Sequence, residues 1–380
     1  MKTIAIITFS FSNKNYGQIL QAYALQHYLQ QIGHNAYLID YYPMGGLEHN
    51  NPSKGIKDEI KYMLKQLPIL KQYIIKRGRR RYEQLYGNDV RNFEVFRRKY
   101  LKYSDLHYET LKELSRNPPK ADIYITGSDQ VWSRSVSNSA VYMLGFANPS
   151  KKKIAYAASF GRKQLEGYEK KDFQKYLSEY SAIGVREVSG VEICKSLQVG
   201  NACFTPDPTI LLSSEGWRKL SEGHNPFRTS KKKIFVYSCY FKREDLIDKI
   251  KENNEYEVVI AEAEPAIGEE DITILSPQSW IAAIDNADYV VSNSFHATMF
   301  SLYMNTNFVT IKHSGQAAHM NTRLDSILSM LNLTDRFVEK SKVASVIDVL
   351  GKDIDWDVVN KRMQDLRKTG VDFLTSNIED

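Results

Sequence analysis

Residues 289–311, YVVSNSFHATMFSLYMNTNFVTI, contain in order a buried strand, a polar turn, a helix and a second buried strand. The apolar run 289–291 predicts the first strand, and the three polar residues at 292–294 can cap a helix start. Residues 308–311 predict the second strand. His296 then falls in the first helical turn, where unpaired N–H groups favour an anion. A structural cap or a surface histidine is the alternative interpretation.

The first forty residues show the same alternation of strand and helix. Residues 3–9 are an apolar run, and apolar side chains recur at helical spacing through residues 19–32. Gly33 then fits a helix C-terminal cap, and residues 36–40 predict the next strand. This order predicts a βαβ unit with a parallel sheet and a right-handed crossover.

The loop after the first strand is a candidate binding segment. It carries Asn15, Tyr16 and Gly17 at the carboxyl edge of the predicted sheet, where ligands of open α/β sheets bind. It lacks the GxGxxG pattern, so we do not predict a classical dinucleotide site.

The whole chain predicts an α/β fold of two Rossmann-like domains with parallel sheets that face a cleft. Its 380 residues agree with about two domains. The predicted organisation is a first domain over 1–215 with a basic helical insertion at about 50–115, a second domain over 232–350, and a closing helix over 355–375, for which packing back on the first domain is one option.

Polar loops follow four successive apolar runs in the first domain. They are GSDQVW at 127–132, SFG at 159–161, RE at 186–187 and PDPT at 206–209. Because the carboxyl ends of parallel strands meet at one edge of a sheet, we expect these loops to converge. Turn chemistry explains any single one of them, whereas their recurrence favours a site.

Composition restricts the class of protein. The hydrophobic share of 42% and charged share of 25% are those of a globular protein, and a net charge of +6 gives no strong argument for nucleic acid. The three cysteines have no CxxC spacing, and no acidic cluster or histidine pair predicts a metal. Because neither a signal peptide nor a spanning helix is indicated, we expect a cytoplasmic protein.

The basic run KRGRRR at 76–81 follows a predicted amphipathic helical segment with Pro68 inside it. A solvated helical face with a charged turn is the simplest interpretation. The alternative is peripheral contact with anionic lipid of the inner membrane or with a pyrophosphate-bearing acceptor. RNA binding is the remotest option, because no nucleic-acid module accompanies the run.

Six motifs occur in an order that resembles the polysaccharide pyruvyl transferase family. They are NYGQILQAYALQHYLQQIG at 15–33, TGSDQVWS at 126–133, KIAYAASFG at 153–161, GVREVSG at 184–190, DPTILL at 207–212 and SNSFHATMFSLYMNTNFV at 292–309. Each motif is weak alone, but the match in which they occur extends from the first strand to about residue 335, which is nearly the whole chain.

This resemblance implies a fold similar to the GT-B glycosyltransferases, with phosphoenolpyruvate as donor substrate and no further cofactor. The implied acceptor is a sugar of a surface polysaccharide, often lipid-linked. The family's donor-site arginine and histidine correspond to Arg186 and His296. Relatives carry an arginine where this chain has Ser294, so that contact is either missing here or supplied by another residue, for which Arg323 and Lys312 are the candidates.

The residue chemistry assigns provisional roles within this scheme. We expect Arg186 to clamp the donor's anionic groups, because guanidinium forks suit carboxylate and phosphate. His296 is the candidate general acid, and Asp129 the acceptor ligand or base. Further candidate acceptor-binding residues share the two strand-end loops, and Asp207 is a weaker candidate because Asp-Pro is often a turn. The acceptor candidates are Asn15, Tyr16, Gly17, Ser128, Asp129, Gln130 and Trp132.

Two of these residues, Tyr16 and Trp132, are aromatic and are candidates for stacking on a sugar face; burial in the core is the equal alternative. Two rival functions also remain at this stage. One is a nucleotide-sugar glycosyltransferase on the same fold, and the other is a non-catalytic saccharide or nucleic-acid binder that uses the run at 76–81.

Overall fold

The computed structural model describes residues 1–43, 89–133, 139–200, 202–238, 255–263, 272–339 and 346–379. Two parallel β-sheets with flanking helices organise these residues. The predicted α/β fold is therefore confirmed. None of the described helices is long and apolar enough to cross a membrane.

The first sheet has seven parallel strands in the order β3-β2-β1-β4-β5-β6-β7. Its strands are β1 (Thr3–Ile7), β2 (Asn35–Tyr41), β3 (Tyr103–Tyr108), β4 (Ile123–Thr126), β5 (Lys152–Ala158), β6 (Ala182–Val185) and β7 (Ala202–Phe204). The helices along this part of the chain are α1 (Tyr16–Gln31), α2 (Phe93–Tyr100), α3 (Leu111–Arg116), α4 (Ser139–Tyr142), α5 (Gly167–Leu177) and α6 (Val188–Ser196).

The second sheet has five parallel strands in the order β12-β11-β10-β8-β9. Its strands are β8 (Lys232–Ser238), β9 (Tyr256–Glu262), β10 (Tyr289–Ser292), β11 (Asn307–Ile311) and β12 (Phe337–Val338). The remaining helices are α7 (Ser214–Ser221), α8 (Pro277–Asp285), α9 (Phe295–Met304), α10 (Asn321–Leu331), α11 (Val346–Leu350) and α12 (Trp356–Glu379), with 3-10 turns at Pro208–Leu211, Gly315–Met320 and Thr334–Arg336.

Both predicted βαβ units are present, and side-chain caps fix where their helices begin. Helix α1 begins at Tyr16 because the Asn15 side chain accepts a hydrogen bond from the backbone N–H of Gln18. Helix α9 begins at Phe295 because Ser294 caps it in the same way. These helix N-termini therefore lie directly after the carboxyl ends of β1 and β10, where ligands of such sheets bind.

Part of the predicted helical insertion belongs to the first sheet. Residues 103–108 form β3, which pairs in parallel with β2 at the sheet edge. The sequence does not predict this strand, because three of its six residues are exposed and the segment therefore resembles a polar helix face. The basic run 76–81 and the amphipathic segment before it lie outside the described residues. The domain boundaries remain a prediction.

The long C-terminal helix α12 contacts residues of the first sheet's half of the chain. Arg367 donates two hydrogen bonds, of 3.1 and 3.0 Å, to the carbonyl oxygen of Leu211. Lys2 Nζ donates to the carbonyl oxygen of Ile378 near the other end of the helix. The chain therefore returns from the second sheet to the first.

Gly370 is a position at which α12 packs closely against this half of the chain. An added Cβ would lie 2.4 Å from the buried Tyr156 hydroxyl and 3.2 Å from Pro206. We expect Gly370→Ala to lower the free energy of unfolding, because overpacking costs about 1–3 kcal/mol and outweighs the roughly 1 kcal/mol gained in helix propensity. Denaturant unfolding measures the change.

The matched control for this helix contact is Gly167→Ala, also at a helical glycine, where an added Cβ meets nothing within 4 Å. It should leave the free energy of unfolding unchanged or raise it slightly. Equal effects of the two substitutions would contradict the close packing of α12.

Candidate active site

The Asp207 carboxylate lies at the centre of a polar cluster formed where the two sheets meet. Its Oδ2 accepts hydrogen bonds from Ser128 Oγ at 3.0 Å and from Arg186 Nη1 at 2.8 Å. His296 Nε2, carried by the second sheet's helix α9, lies 3.5 Å from the same oxygen. Asp207 thus joins groups from both halves of the chain.

The Asp-Pro-Thr sequence explains how this carboxylate is held. Asp207 caps the 3-10 turn at Pro208–Leu211, with proline at its first position. Its Oδ1 accepts from the Thr209 backbone N–H at 3.1 Å and from Thr209 Oγ1 at 2.8 Å. The Asp-Pro turn therefore holds the carboxylate in the position where it faces His296.

Arg186 extends from the end of β6 and is committed to carboxylates of the protein. Its Nη1 binds Asp207, and its Nη2 lies 3.4 Å from Asp129 Oδ1. Burial opposes its charge, but Asp207 and Asp129 outweigh burial and raise the pKa of Arg186 above its ordinary value. The arrangement supports a role in holding Asp207 and Asp129, rather than the predicted anion clamp.

Asp129 has an unusual backbone conformation, and so does Ala157 in the neighbouring strand β5. The φ of Asp129 is 79°, and that of Ala157 is 53°, both in the left-handed region that L-residues seldom adopt. The two segments pair through a bridge between Asp129 and Ala158, where the register of β5 shifts. Such strain is typical of functional sites, and here it directs the Asp129 carboxylate to Arg186.

His296 lies in the first turn of α9 with its ring against the start of α1. A Cβ added at Gly17 would lie 1.9 Å from His296 Nδ1, so only glycine permits this approach. Among the described residues, His296 Nε2 has no well-formed hydrogen-bond partner, since the 3.5 Å contact to Asp207 is long. The histidine is thus positioned by Gly17 and Asp207, and its Nε2 is available to a reactant.

The charge of Asp207 is set by the groups around it. Burial by itself would raise the pKa of this carboxyl group, but the His296 imidazole and the Arg186 guanidinium together hold the pKa well below its ordinary value. Asp207 is therefore ionised at neutral pH.

The exposed fractions show which edge of the cluster a reactant can approach. The Asp207 and Arg186 side chains are 0% and 1% exposed. Asp129 and His296 retain 11% and 8%. Asp129 and His296, the two residues predicted to be catalytic, therefore form the accessible edge.

The Phe295 ring is surrounded by three nitrogen-bearing side chains. Arg186 Cζ lies 5.0 Å and Arg323 Cζ 5.4 Å from its centroid, while the His296 ring centroid lies 5.2 Å away. Arg323, which extends from α10, is thereby placed in the same cluster.

Two predicted acceptor residues are buried instead of accessible. Trp132 is 0% exposed, and its Nε1 donates to the carbonyl oxygen of Tyr142. The Tyr16 ring stacks on Trp280 at 5.3 Å, and its hydroxyl donates to the carbonyl oxygen of Leu275. The prediction that either ring stacks on a sugar is therefore wrong. Trp132 fills the core of the first sheet, and Tyr16 joins the two halves of the chain.

The remaining predicted residues have defined places. Ser294 and Asn15 act as helix caps, and Lys312 pairs with Glu339 at 2.9 Å. Ser128 binds Asp207, as described above. Gln130 lies next to Asp129 and against Gly161, and its buried Nε2 has no hydrogen-bond partner within the described ranges.

Sequence reasoning missed Glu187. This fully buried carboxylate accepts the backbone N–H groups of Phe160 and Gly161 at 2.7 and 3.1 Å through Oε1. It fixes the loop after β5, while its Oε2 has no hydrogen-bond partner. Its place beside Arg186 at a strand end was the available signal. Among the described residues, no group of three or more His, Cys, Asp or Glu side chains is arranged to hold a metal ion.

Comparison with known families confirms the resemblance carried by the six motifs. The family model described as "Polysaccharide pyruvyl transferase" matches residues 15–315, which include Asp129, Arg186, Asp207 and His296. A comparison with curated proteins gives no significant match.

Similar solved structures belong to sugar-nucleotide enzymes. A UDP-GlcNAc 2-epimerase from Methanocaldococcus jannaschii has a TM-score of 0.54 at 11% identity, covering 99% of this chain and 100% of that one. The Rickettsia bellii UDP-N-acetylglucosamine 2-epimerase has a TM-score of 0.51 at 10% identity, covering 99% and 96%. At such identities the likeness shows the fold alone, and the predicted GT-B-like fold is confirmed.

Proposed function

Since the chain belongs to the polysaccharide pyruvyl transferase family, we propose that it moves the pyruvyl group of phosphoenolpyruvate onto two hydroxyls of one sugar. The product is a pyruvate ketal, and the acceptor is a surface polysaccharide or its lipid-linked precursor. We place the reaction in the cytoplasm, at the inner face of the membrane when the acceptor is lipid-linked.

The observation that carries this proposal is the meeting of His296 and Asp207 where the two sheets meet. An ionised, fully buried carboxylate lies 3.5 Å from an imidazole whose Nε2 is otherwise unpaired. A histidine held beside a carboxylate in this way can act as a general acid and then as a general base. Asp129 supplies a second carboxylate at the same accessible edge.

The reaction needs one proton delivered to carbon and two removed from hydroxyls. Protonation of the donor's methylene carbon gives an oxocarbenium-like centre, which the first sugar hydroxyl attacks to form a C–O bond. The C–O bond to phosphate then breaks, and the second hydroxyl attacks to close the ring. One hydroxyl proton replaces the proton that became part of the methyl group, and the other leaves with phosphate.

We assign the proton transfers to His296 and Asp129, the two residues at the accessible edge. His296 gives its proton to the methylene carbon, and the ionised Asp207 stabilises the imidazolium before transfer. Asp129 accepts the proton of the attacking hydroxyl, with Arg186 fixing the orientation of its carboxylate. Ser128 and Arg186 act by positioning Asp207.

Thermal unfolding with separate ligands tests the donor class. We expect phosphoenolpyruvate to raise the melting temperature, while UDP-sugars leave it unchanged, because ligands that bind only the folded state stabilise it. The opposite pattern would favour a nucleotide-sugar glycosyltransferase, which the fold alone accommodates equally well. If the His296→Ala variant keeps full ketal-forming activity, His296 is not the general acid.

A further inference from the structure

We infer that Arg323, and not Arg186, is the arginine that binds an anionic group of the substrate. This inference rests on the proposed function for the identity of that substrate, phosphoenolpyruvate. It separates two arginines at one site into a positioning residue and a binding residue.

The two guanidinium groups differ in their protein partners. Arg186 already binds Asp207 at 2.8 Å and Asp129 at 3.4 Å. Arg323 is 6% exposed, and its Nε has no hydrogen-bond partner among the residues that the structure describes. In the part of the chain that the structure describes, no carboxylate forms an ion pair with Arg323. Arg323 therefore has no direct ion-pair partner among the described residues, although Asp129, Glu187 and Asp207 lie close enough to favour its charge electrostatically.

Arg323 lies where a substrate anion would meet several favourable groups. The guanidinium groups of Arg323 and Arg186 both contact the ring of Phe295. Phe295 is the first residue of the ten-residue helix α9. The N-terminus of that helix carries partial positive charge. The ring limits water access, which strengthens the attraction between a guanidinium and an anion. A carboxylate or phosphate bound here would lie beside His296.

Energetics support the same assignment. Burial, and then the nearby charge of Arg186, lower the pKa of Arg323 to about 10, and the carboxylates of Asp129, Glu187 and Asp207 oppose this shift only in part. A lowered pKa means that the folded protein disfavours this charge, so its retention costs stability unless an anion offsets it. Contact with the Phe295 ring alone offsets only part of that cost.

Calorimetric titration of Arg323 variants tests the inference, with phosphoenolpyruvate and inorganic phosphate as separate probes. We expect Arg323→Gln to weaken phosphoenolpyruvate binding about 10- to 100-fold, as for loss of a charged hydrogen bond. Arg323→Lys keeps the charge without the planar fork, so its affinity should lie between the two. The control Arg218→Gln removes an arginine that pairs with Asp285 at 2.8 Å, and it should bind as wild type.

The unliganded melting temperature separates binding from a structural role. If Arg323 serves a ligand, Arg323→Gln removes an incompletely compensated buried charge and leaves the melting temperature equal or higher. A wild-type affinity in Arg323→Gln or, should that variant not fold, in Arg323→Lys overturns the inference. If wild-type protein binds phosphate through Arg323 but does not bind phosphoenolpyruvate, the inference stands and the proposed function fails.

Discussion

Replacing Gly17 by alanine is expected to reduce the rate of ketal formation by about 100-fold or more. The added Cβ would lie 1.9 Å from His296 Nδ1, so the imidazole or the start of α1 must move by more than 1 Å. A displacement of that size at a catalytic group costs about two orders of magnitude in rate. The measurement is phosphate release from phosphoenolpyruvate with a saturating acceptor.

Gly216→Ala is the matched control for the Gly17 substitution. There an added Cβ meets only Ser213 Oγ, at 3.5 Å, which is an ordinary contact. The control should keep its wild-type rate. A Gly17→Ala protein with wild-type activity would contradict the placement of the His296 ring against α1.

The second large effect is expected for Asp207→Asn. Loss of one partner from a buried ion pair costs about 3–5 kcal/mol, and Arg186 and Asp207 are 1% and 0% exposed. The control Asp285→Asn breaks a pair with Arg218 in which the side chains are 19% and 47% exposed, so it should cost about 1 kcal/mol or less. Denaturant unfolding gives both values, and similar losses would contradict the central position of Asp207.

The same substitution should alter how stability depends on pH. The pKa of Asp207 is lower in the folded protein than in the unfolded chain, so the ionised carboxylate stabilises the fold above the unfolded value. That contribution is fully present above about pH 5 and is lost as pH falls below about 4. The stability difference between wild type and Asp207→Asn should therefore shrink in acid, and a constant difference would disagree with the lowered pKa.

The fold could be predicted from the sequence because its signals are local. The alternation of apolar runs with capping residues identified β1, α1 and β2, and also β10, α9 and β11. The run at 103–108 failed this test because an exposed edge strand carries no apolar run. Residues 272–275 form no strand, although the Thr273 N–H donates to the carbonyl oxygen of Ile260.

The site was predictable only in part, because its decisive contacts join distant segments. The strand-end rule brought Asp129, Arg186 and His296 together correctly. It could not predict that Asp207, the weaker candidate because Asp-Pro is often a turn, faces His296 where the two sheets meet. Local sequence also cannot distinguish a paired buried arginine from an unpaired one, which is the difference between Arg186 and Arg323.

Aromatic residues in polar loops present the same difficulty. Trp132 stands among hydrogen-bonding residues in the sequence, yet its ring packs against Phe160 at a centroid distance of 5.1 Å within the core. Composition alone gives equal weight to a sugar platform and to a core ring. The burial of Trp132 and Tyr16 leaves Asp129 and Gln130 as the predicted acceptor contacts near the exposed edge.

The most direct test of the proposed reaction is mass spectrometry of a lipid-linked glycan fraction incubated with the purified protein and phosphoenolpyruvate. The glycan should come from cells that lack this gene. Wild-type protein is expected to add the mass of one pyruvate ketal and to release one phosphate per ketal, whereas His296→Ala should add none. A mass gain of one sugar with a UDP-sugar, and no gain with phosphoenolpyruvate, would contradict it.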